Sequence, residues 1–121
     1  MANSLSDLAE LLREFANERD WHQFHTPKNL SMALAGEAGE LLAELQWLTP
    51  EESAVLAGDA KARVAAEMAD VLNYLVRLAD VLDVDLLAEA EAKIAHSAKR
   101  YPADRWRGSA RKAPPLSLLA G

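Results

Sequence analysis

Four acidic residues at two matching spacings are the residues of this chain best placed to do chemistry. Glu37 and Glu40 form an E-x-x-E pair, and Glu67 and Asp70 form an E-x-x-D pair. Carboxylate oxygens suit a hard divalent cation such as Mg²⁺ or Mn²⁺, and such a cation can in turn bind phosphate oxygens. The chain has no cysteine for a thiolate site, and neither pair carries the histidine of the Glu-x-x-His motif in di-iron bundles. The two pairs therefore predict a magnesium site, with manganese as an alternative.

Helical phase turns both acid pairs toward the interior of a bundle. At 3.6 residues per turn, the apolar stripes of the two segments are Leu30, Leu34, Leu41, Leu45 and Leu48 in the first and Val64, Val71, Leu75, Leu78 and Leu82 in the second. Glu37 and Glu67 fall inside these stripes. Glu40 and Asp70 lie at their edges, with Glu44 as a weaker outer member of the first set. Because buried carboxylates without partners are costly, acids that face inward require cations.

A simpler interpretation is that these acids form a solvated helix face paired with Arg63, Arg77 or Lys61, since a single E-x-x-E is common in helices. The presence of both motifs on apolar stripes favours the metal site. The first motif is also bracketed by Gly36 and Gly39. An interior glycine costs up to about 1 kcal/mol relative to alanine, so the pair predicts close approach of a neighbouring backbone or a ligand.

The elements that must position these acids are all helical, because Ala, Leu, Glu and Arg dominate and β-branched residues are few. Thr26-Pro27 and Thr49-Pro50 each predict an N-cap followed by proline at the first helical position. The predicted elements are main helices over about 4–20, 27–48, 59–82 and 85–99, a short helix from Pro50 to Gly58, and a stop at Pro102. The sequence thus predicts an all-α protein with four main helices.

Composition limits the domain organisation and the partners. With 121 residues and 50% hydrophobic content, we expect one domain over residues 1–102 and a basic, flexible tail over 103–121. The net charge of -6 disfavours binding to a nucleic acid polymer. The absence of cysteine suits the cytoplasm, and acids near the N-terminus together with the lack of a long apolar run argue against a signal peptide and against a membrane partner.

The acid motifs stand within longer stretches that resemble a known family. These stretches are FANERDWHQFHTPKNL (15–30), GEAGELLAELQW (36–47), EMADVLNYLVRLAD (67–80) and KRYP (99–102). Together they resemble the MazG-like superfamily of all-α nucleoside triphosphate pyrophosphatases, and more specifically its dCTP pyrophosphatase branch. The resemblance implies a four-helix core bundle that assembles as a dimer or as a tetramer built from two dimers.

The resemblance also implies an activity: Mg²⁺-dependent hydrolysis of a deoxynucleoside triphosphate to monophosphate and pyrophosphate. The substrate expected from this branch is dCTP or a modified dCTP. Carried over by position, the metal ligands are Glu37, Glu40, Glu67 and Asp70, the nucleotide pocket is lined by Trp21, His25, Trp47 and Tyr74, and the candidates for phosphate contact are Lys28, Lys93 and Arg100. One departure is Ser97, which stands where the family often has asparagine. Phosphate or sugar contacts near Ser97 are therefore expected to differ.

The residues taken alone leave alternatives open at several of these positions. Trp47 and Tyr74 suit structural packing as well as ligand stacking, Lys93 suits a solvated surface, and Arg100 suits an anchor for its helix end. Two other functions also remain: a dUTP- or phosphoribosyl-ATP-type pyrophosphohydrolase, and a non-catalytic helical assembly module whose acids form salt bridges across a subunit interface.

Overall fold

The computed structural model describes residues 1–116 and contains, within that range, six α-helices, one 3-10 turn and no β-strand. The elements are α1 (Leu5–Glu18), the 3-10 turn (His22–Phe24), α2 (Pro27–Leu45), α3 (Pro50–Ser53), α4 (Gly58–Val81), α5 (Leu86–Arg100) and α6 (Ala103–Trp106). The all-α class expected from the sequence is confirmed. None of these helices is both long and apolar enough to cross a membrane.

Side-chain caps explain where four of the helices begin. The side-chain oxygens of Ser4, Thr26, Thr49 and Asp85 each accept the backbone N–H three residues further on. Glu52 bonds back to the backbone N–H of Thr49 at 2.9 Å, which completes a capping box. Both predicted Thr-Pro starts are confirmed.

Two helix ends lie earlier than the sequence predicted. α2 ends at Leu45 rather than Leu48, because the chain turns there and Leu48 N–H donates to the Leu45 carbonyl at 3.0 Å. The short helix ends at Ser53, and Gly58 instead begins α4 with a φ of 59°. A left-handed φ of this kind suits glycine, which has no Cβ.

Aspartates in the left-handed region end α1 and α4. Asp20 has a φ of 53° and Asp83 a φ of 55°. The following N–H donates to the carbonyl five residues back, Trp21 to Ala16 at 2.9 Å and Val84 to Ala79 at 2.8 Å. This is the Schellman arrangement, in which glycine is the usual residue and aspartate tolerates the conformation through its short polar side chain.

The first of two compact units covers Met1–Val84 and holds the acid-bearing helices. In it, α4 packs along α2, and α1 packs on α4. The buried apolar residues are Ala16, Leu30, Val76 and Ala79. The guanidinium of Arg13 on α1 bonds the Asp80 carboxylate on α4 through two contacts of 3.0 and 2.7 Å. This ion pair fixes α1 against the acid-bearing helix.

The second unit begins at Asp85 and contains α5 and α6. Arg100 at the end of α5 donates to the Ala113 carbonyl, and the Ala113 N–H donates to the Tyr101 hydroxyl at 3.1 Å. The predicted tail therefore contains helix α6 and a buried alanine, while residues 117–121 lie outside the described range. The domain boundary at residue 102 stays a prediction.

The two interior glycines of α2 have no neighbour that explains them within the described chain. A Cβ added at Gly36 or at Gly39 meets no heavy atom within 4 Å. The expected close approach of another backbone is thus not found among residues 1–116. Approach by a ligand or by a second copy of the chain stays a prediction.

Candidate metal and nucleotide site

Three carboxylates converge between α2 and α4. Glu37 from α2 and Glu67 and Asp70 from α4 each offer one oxygen, and these oxygens all lie within 4.8 Å of one another. Glu37 and Glu67 are half-buried because they lie in the apolar stripes through which the two helices pack, whereas Asp70 at the stripe edge is exposed. The helical phase of the sequence accounts for this arrangement.

The carboxylate cluster is electrostatically incomplete by itself. The Oε2 atoms of Glu37 and Glu67 are buried, and neither has a hydrogen-bond partner among the described residues. Burial raises the pKa of the Glu67 carboxyl, and the charges of Glu40, Asp70 and Glu37 raise it further. A buried carboxylate oxygen without a donor is costly, and a cation removes both that cost and the mutual repulsion. The all-oxygen donor set fits Mg²⁺ or Mn²⁺.

The other two acids of α2 occupy different positions. Glu40 is exposed and lies outside the group of converging oxygens, although its charge acts on Glu67. Glu44 forms an ion pair with Arg63 of α4, with Nε and Oε2 3.1 Å apart. Glu44 therefore forms a surface ion pair, which was the alternative to metal binding for the acids of both motifs. Within residues 1–116, the three converging carboxylates have no such basic partner.

A cavity of about 400 Å³ lies beside the cluster in the same unit. Its walls come from α1, the turn after α1 and α4, and its lining residues are Leu11, Leu12, Phe15, Trp21, His25, Asp70, Asn73, Tyr74 and Arg77. Trp21 meets Phe15 edge to face, with ring centroids 5.6 Å apart. Asp70 belongs both to the cluster and to the lining, so a cation held by the acids would lie at the cavity's edge.

The polar end of this cavity is organised by Arg77, which is only 4% exposed. Its Nε donates to His25 Nδ1 at 3.1 Å, its Nη2 lies 3.2 Å from His22 Nδ1, and its Nη1 donates to Asp80 at 3.1 Å. The hydrogen bond from Arg13 lowers the pKa of Asp80, and the charge of Arg77 lowers it further. Burial lowers the pKa of His25, with the charge of Arg77 adding to the effect.

Sequence reasoning missed Arg77 as a residue of the site. It considered this arginine only as an ion-pair partner for the acids. A signal was present, since Arg77 lies seven residues after Asp70 and three after Tyr74, which places all three on one face of α4. An arginine on the apolar side of a helix requires hydrogen-bond partners, and His22 in the 3-10 turn and His25 directly after it supply two of them.

The remaining predicted site residues lie elsewhere. Lys28 is exposed in the first turn of α2, and Trp47, beyond the end of that helix, is 87% exposed. Neither is part of the cavity lining within the described chain. Lys93 and Arg100 belong to α5 in the second unit, where Arg100 donates to the Ala113 carbonyl. Contact of these four residues with nucleotide stays a prediction.

Comparison with known proteins adds independent information. No protein-family model matches the chain. The dCTP pyrophosphatase 1 of Rattus norvegicus is 46% identical over 111 residues, and that of Homo sapiens is 45% identical over 111 residues. These alignments cover 90% of the chain, which spans 65% of the length of the two relatives. A solved pyrophosphatase from Archaeoglobus fulgidus has a TM-score of 0.74 at 33% identity, over 84% of this chain and 95% of that one.

Proposed function

Because the chain belongs to the all-α nucleoside triphosphate pyrophosphatase superfamily, in the branch of its dCTP pyrophosphatase relatives, we propose that it hydrolyses dCTP or a modified dCTP. The products are the monophosphate and pyrophosphate, and the role is sanitation of the nucleotide pool in the cytoplasm. One observation carries the proposal: Asp70 is shared by the carboxylate cluster and a cavity of nucleoside size.

The carboxylates provide the metal site in this proposal. Glu37, Glu67 and Asp70 would hold Mg²⁺, with Glu40 as a further ligand candidate. Bound Mg²⁺ neutralises phosphate oxygens and lowers the pKa of coordinated water. The proposal is supported by the two buried carboxylate oxygens that have no donor among the described residues.

The cavity would bind the nucleoside. Phe15 and Trp21 offer aromatic surface to a base, and Tyr74 stands one helical turn beyond Asp70, within reach of the sugar. Leu11 and Leu12 supply apolar surface to the cavity wall. Holding the base here while the phosphates reach the acids fixes the scissile bond relative to the cluster, and this positioning is the main task in phosphoryl chemistry.

A homo-oligomer, either a dimer or a dimer of dimers, is part of the proposal. Several large apolar side chains of the acid-bearing helices are exposed in the single chain, namely Met32 and Leu42 on α2 and Met68 and Leu72 on α4. The cores of protein interfaces are enriched in methionine and are more apolar than the rest of a protein surface. Light scattering after gel filtration should give at least twice the mass of the chain, and a Met68→Glu variant should lower it.

Product analysis tests the activity directly. The protein is incubated with Mg²⁺ and, separately, with each canonical dNTP, dUTP, 5-methyl-dCTP and phosphoribosyl-ATP, and the products are separated by chromatography. We expect dCMP and pyrophosphate from dCTP, without dCDP. Inorganic phosphate as the sole product would refute the proposal, and faster turnover of dUTP or phosphoribosyl-ATP would assign the alternative substrate.

A pair of isosteric variants tests the metal site. Glu67→Gln should abolish turnover and Mg²⁺ binding in calorimetry, because the amide oxygen is a much weaker ligand than the carboxylate. Glu91→Gln, on the exposed surface of α5, is the matched control and should retain both. No heat with Mg²⁺ or with a non-hydrolysable dCTP analogue in the parent protein would favour the non-catalytic assembly module.

A further inference from the structure

The hydrogen bonds of Arg77 restrict the chemistry of a histidine in the cavity wall. A guanidinium is always protonated and carries only donors, so each nitrogen it bonds must accept. Its contacts with His25 Nδ1 at 3.1 Å and His22 Nδ1 at 3.2 Å therefore require both Nδ1 atoms to lack a proton. A neutral imidazole of this kind carries its single proton on Nε2.

His25 differs from His22 in facing the cavity. It forms part of the cavity lining, and its Nε2 has no hydrogen-bond partner among the described residues. The groups that surround it favour the neutral form, because burial lowers its pKa and the charge of Arg77 acts in the same direction. His25 thus offers the cavity one donor and no charge.

The remaining bonds of the network keep the guanidinium in place. Asp80 accepts from Arg77 at 3.1 Å, and Arg13 of α1 bonds the same carboxylate. The buried positive charge is therefore compensated, and three structural elements are joined: α1, the turn after it and α4. Arg77 cannot rotate away from His25 without leaving this carboxylate.

We propose that Arg77 is a positioning residue that holds His25 as the neutral Nε2–H tautomer, so that the cavity donates a hydrogen bond to an uncharged acceptor of the nucleoside, the ring carbonyl oxygen of a pyrimidine. The identity of the acceptor rests on the proposed function. The tautomer does not, because it follows from the ligand-free contacts alone. A neutral donor matches a carbonyl oxygen, whereas an imidazolium would match a phosphate better.

Nitrogen-15 NMR of the histidine rings tests the tautomer without substrate. In the parent protein, His25 should show a protonated Nε2 and an unprotonated Nδ1, and should stay neutral at pH values where an ordinary histidine is half protonated. Arg77→Met should give a mixture of tautomers and raise the pKa of His25. Arg63→Met, which removes the ion pair of α4 with Glu44 and no bond of this network, is the matched control and should leave the His25 signals unchanged. A protonated Nδ1 in the parent protein would overturn the proposal.

Steady-state kinetics with dCTP tests the consequence for binding. Arg77→Met should raise KM about tenfold, the effect of losing one aligned hydrogen bond to a ligand, with a smaller change in kcat. If Arg77→Met does not fold, Arg77→Lys serves as the second variant. Lysine keeps the charge but lacks the forked donors, so this variant should also raise KM. Unchanged KM in a folded variant whose tautomer has shifted would overturn the role in binding. Absence of dCTP turnover in the parent protein would refute the proposed function and not the tautomer.

Discussion

Replacement of Asp83 by glycine should raise the melting temperature, because this residue ends α4 with a φ of 55°. An L-residue in the left-handed region costs about 1–2 kcal/mol, and the greater freedom of glycine in the unfolded chain cancels about 0.4–1 kcal/mol of the gain. With the middle of each range, about 1.5 kcal/mol gained and about 0.7 kcal/mol cancelled, the net stabilisation is about 0.8 kcal/mol. For 121 residues the unfolding entropy is about 0.25 kcal/mol/K, so the melting temperature should rise by about 2–4 °C.

Asp20 provides a matched comparison, with a nearly identical φ of 53° and a different side-chain environment. Gln23 Nε2 donates to the Asp20 carboxylate at 3.1 Å and to its carbonyl at 3.0 Å. Glycine keeps the second bond and loses the first, which is worth about 0.5–1.5 kcal/mol. The melting temperature of Asp20→Gly should therefore stay near that of the parent protein. Its KM for dCTP, the proposed substrate, should rise, because the lost bond fixes the turn between Trp21 and His25.

Differential scanning calorimetry at one protein concentration, together with dCTP kinetics, measures both effects. Asp83→Asn separates the backbone term from the charge at the C-terminus of α4, since asparagine also tolerates this conformation. A lower melting temperature for Asp83→Gly, or equal rises for both glycine variants, would refute the reasoning. A lower melting temperature for Asp83→Gly would mean that the left-handed conformation is not a source of strain. Equal rises for the two variants would mean that the bond from Gln23 to Asp20 contributes nothing to stability.

Three further predictions concern stability. Leu30→Ala removes the largest fully buried side chain and should lower the free energy of unfolding in urea by about 2–5 kcal/mol, and a loss below 1 kcal/mol would contradict its place in the core. Arg13 and Arg77 lower the pKa of Asp80, so its carboxylate stabilises the fold fully above the ordinary aspartate pKa of about 4. That stability is lost as the pH falls through the lower pKa of the folded state. The urea midpoint of Asp80→Asn should therefore fall less with acid than that of the parent protein. Gly36→Ala should raise the melting temperature by up to about 4 °C in circular dichroism, because the new methyl meets no atom within 4 Å; a fall would indicate an external surface against α2.

The sequence predicted those features that depend on local interactions. Thr26 and Thr49 cap their helices as expected because a cap needs only a side-chain oxygen and the next turn of backbone. The convergence of Glu37 with Glu67 followed from helical phase, since two apolar stripes that pack together bring the acids within them face to face.

Features that depend on tertiary neighbours were harder to predict. Besides Asp80 on its own helix, Arg77 bonds His22 and His25 from the segment after α1, and no spacing within α4 shows those two partners. The end of α1 depends on Asp20 adopting a left-handed conformation, which helix propensity does not indicate. Glu44 is neutralised by Arg63, and because this partner lies on α4, the spacing of the acids along α2 does not predict the ion pair.

The exposed indole of Trp47 makes this protein suitable for label-free optical measurements. The chain has three tryptophans; Trp21 lies against the Phe15 ring, and the Trp106 indole N–H donates to the Arg111 carbonyl at 3.0 Å. Trp47 is 87% exposed, so its fluorescence should be red-shifted and readily quenched by iodide in the single chain. Coverage of this ring by a nucleotide or by a second copy would shift its emission to the blue and protect it from the quencher. A titration followed at this ring would therefore test whether nucleotide or a second copy of the chain covers it.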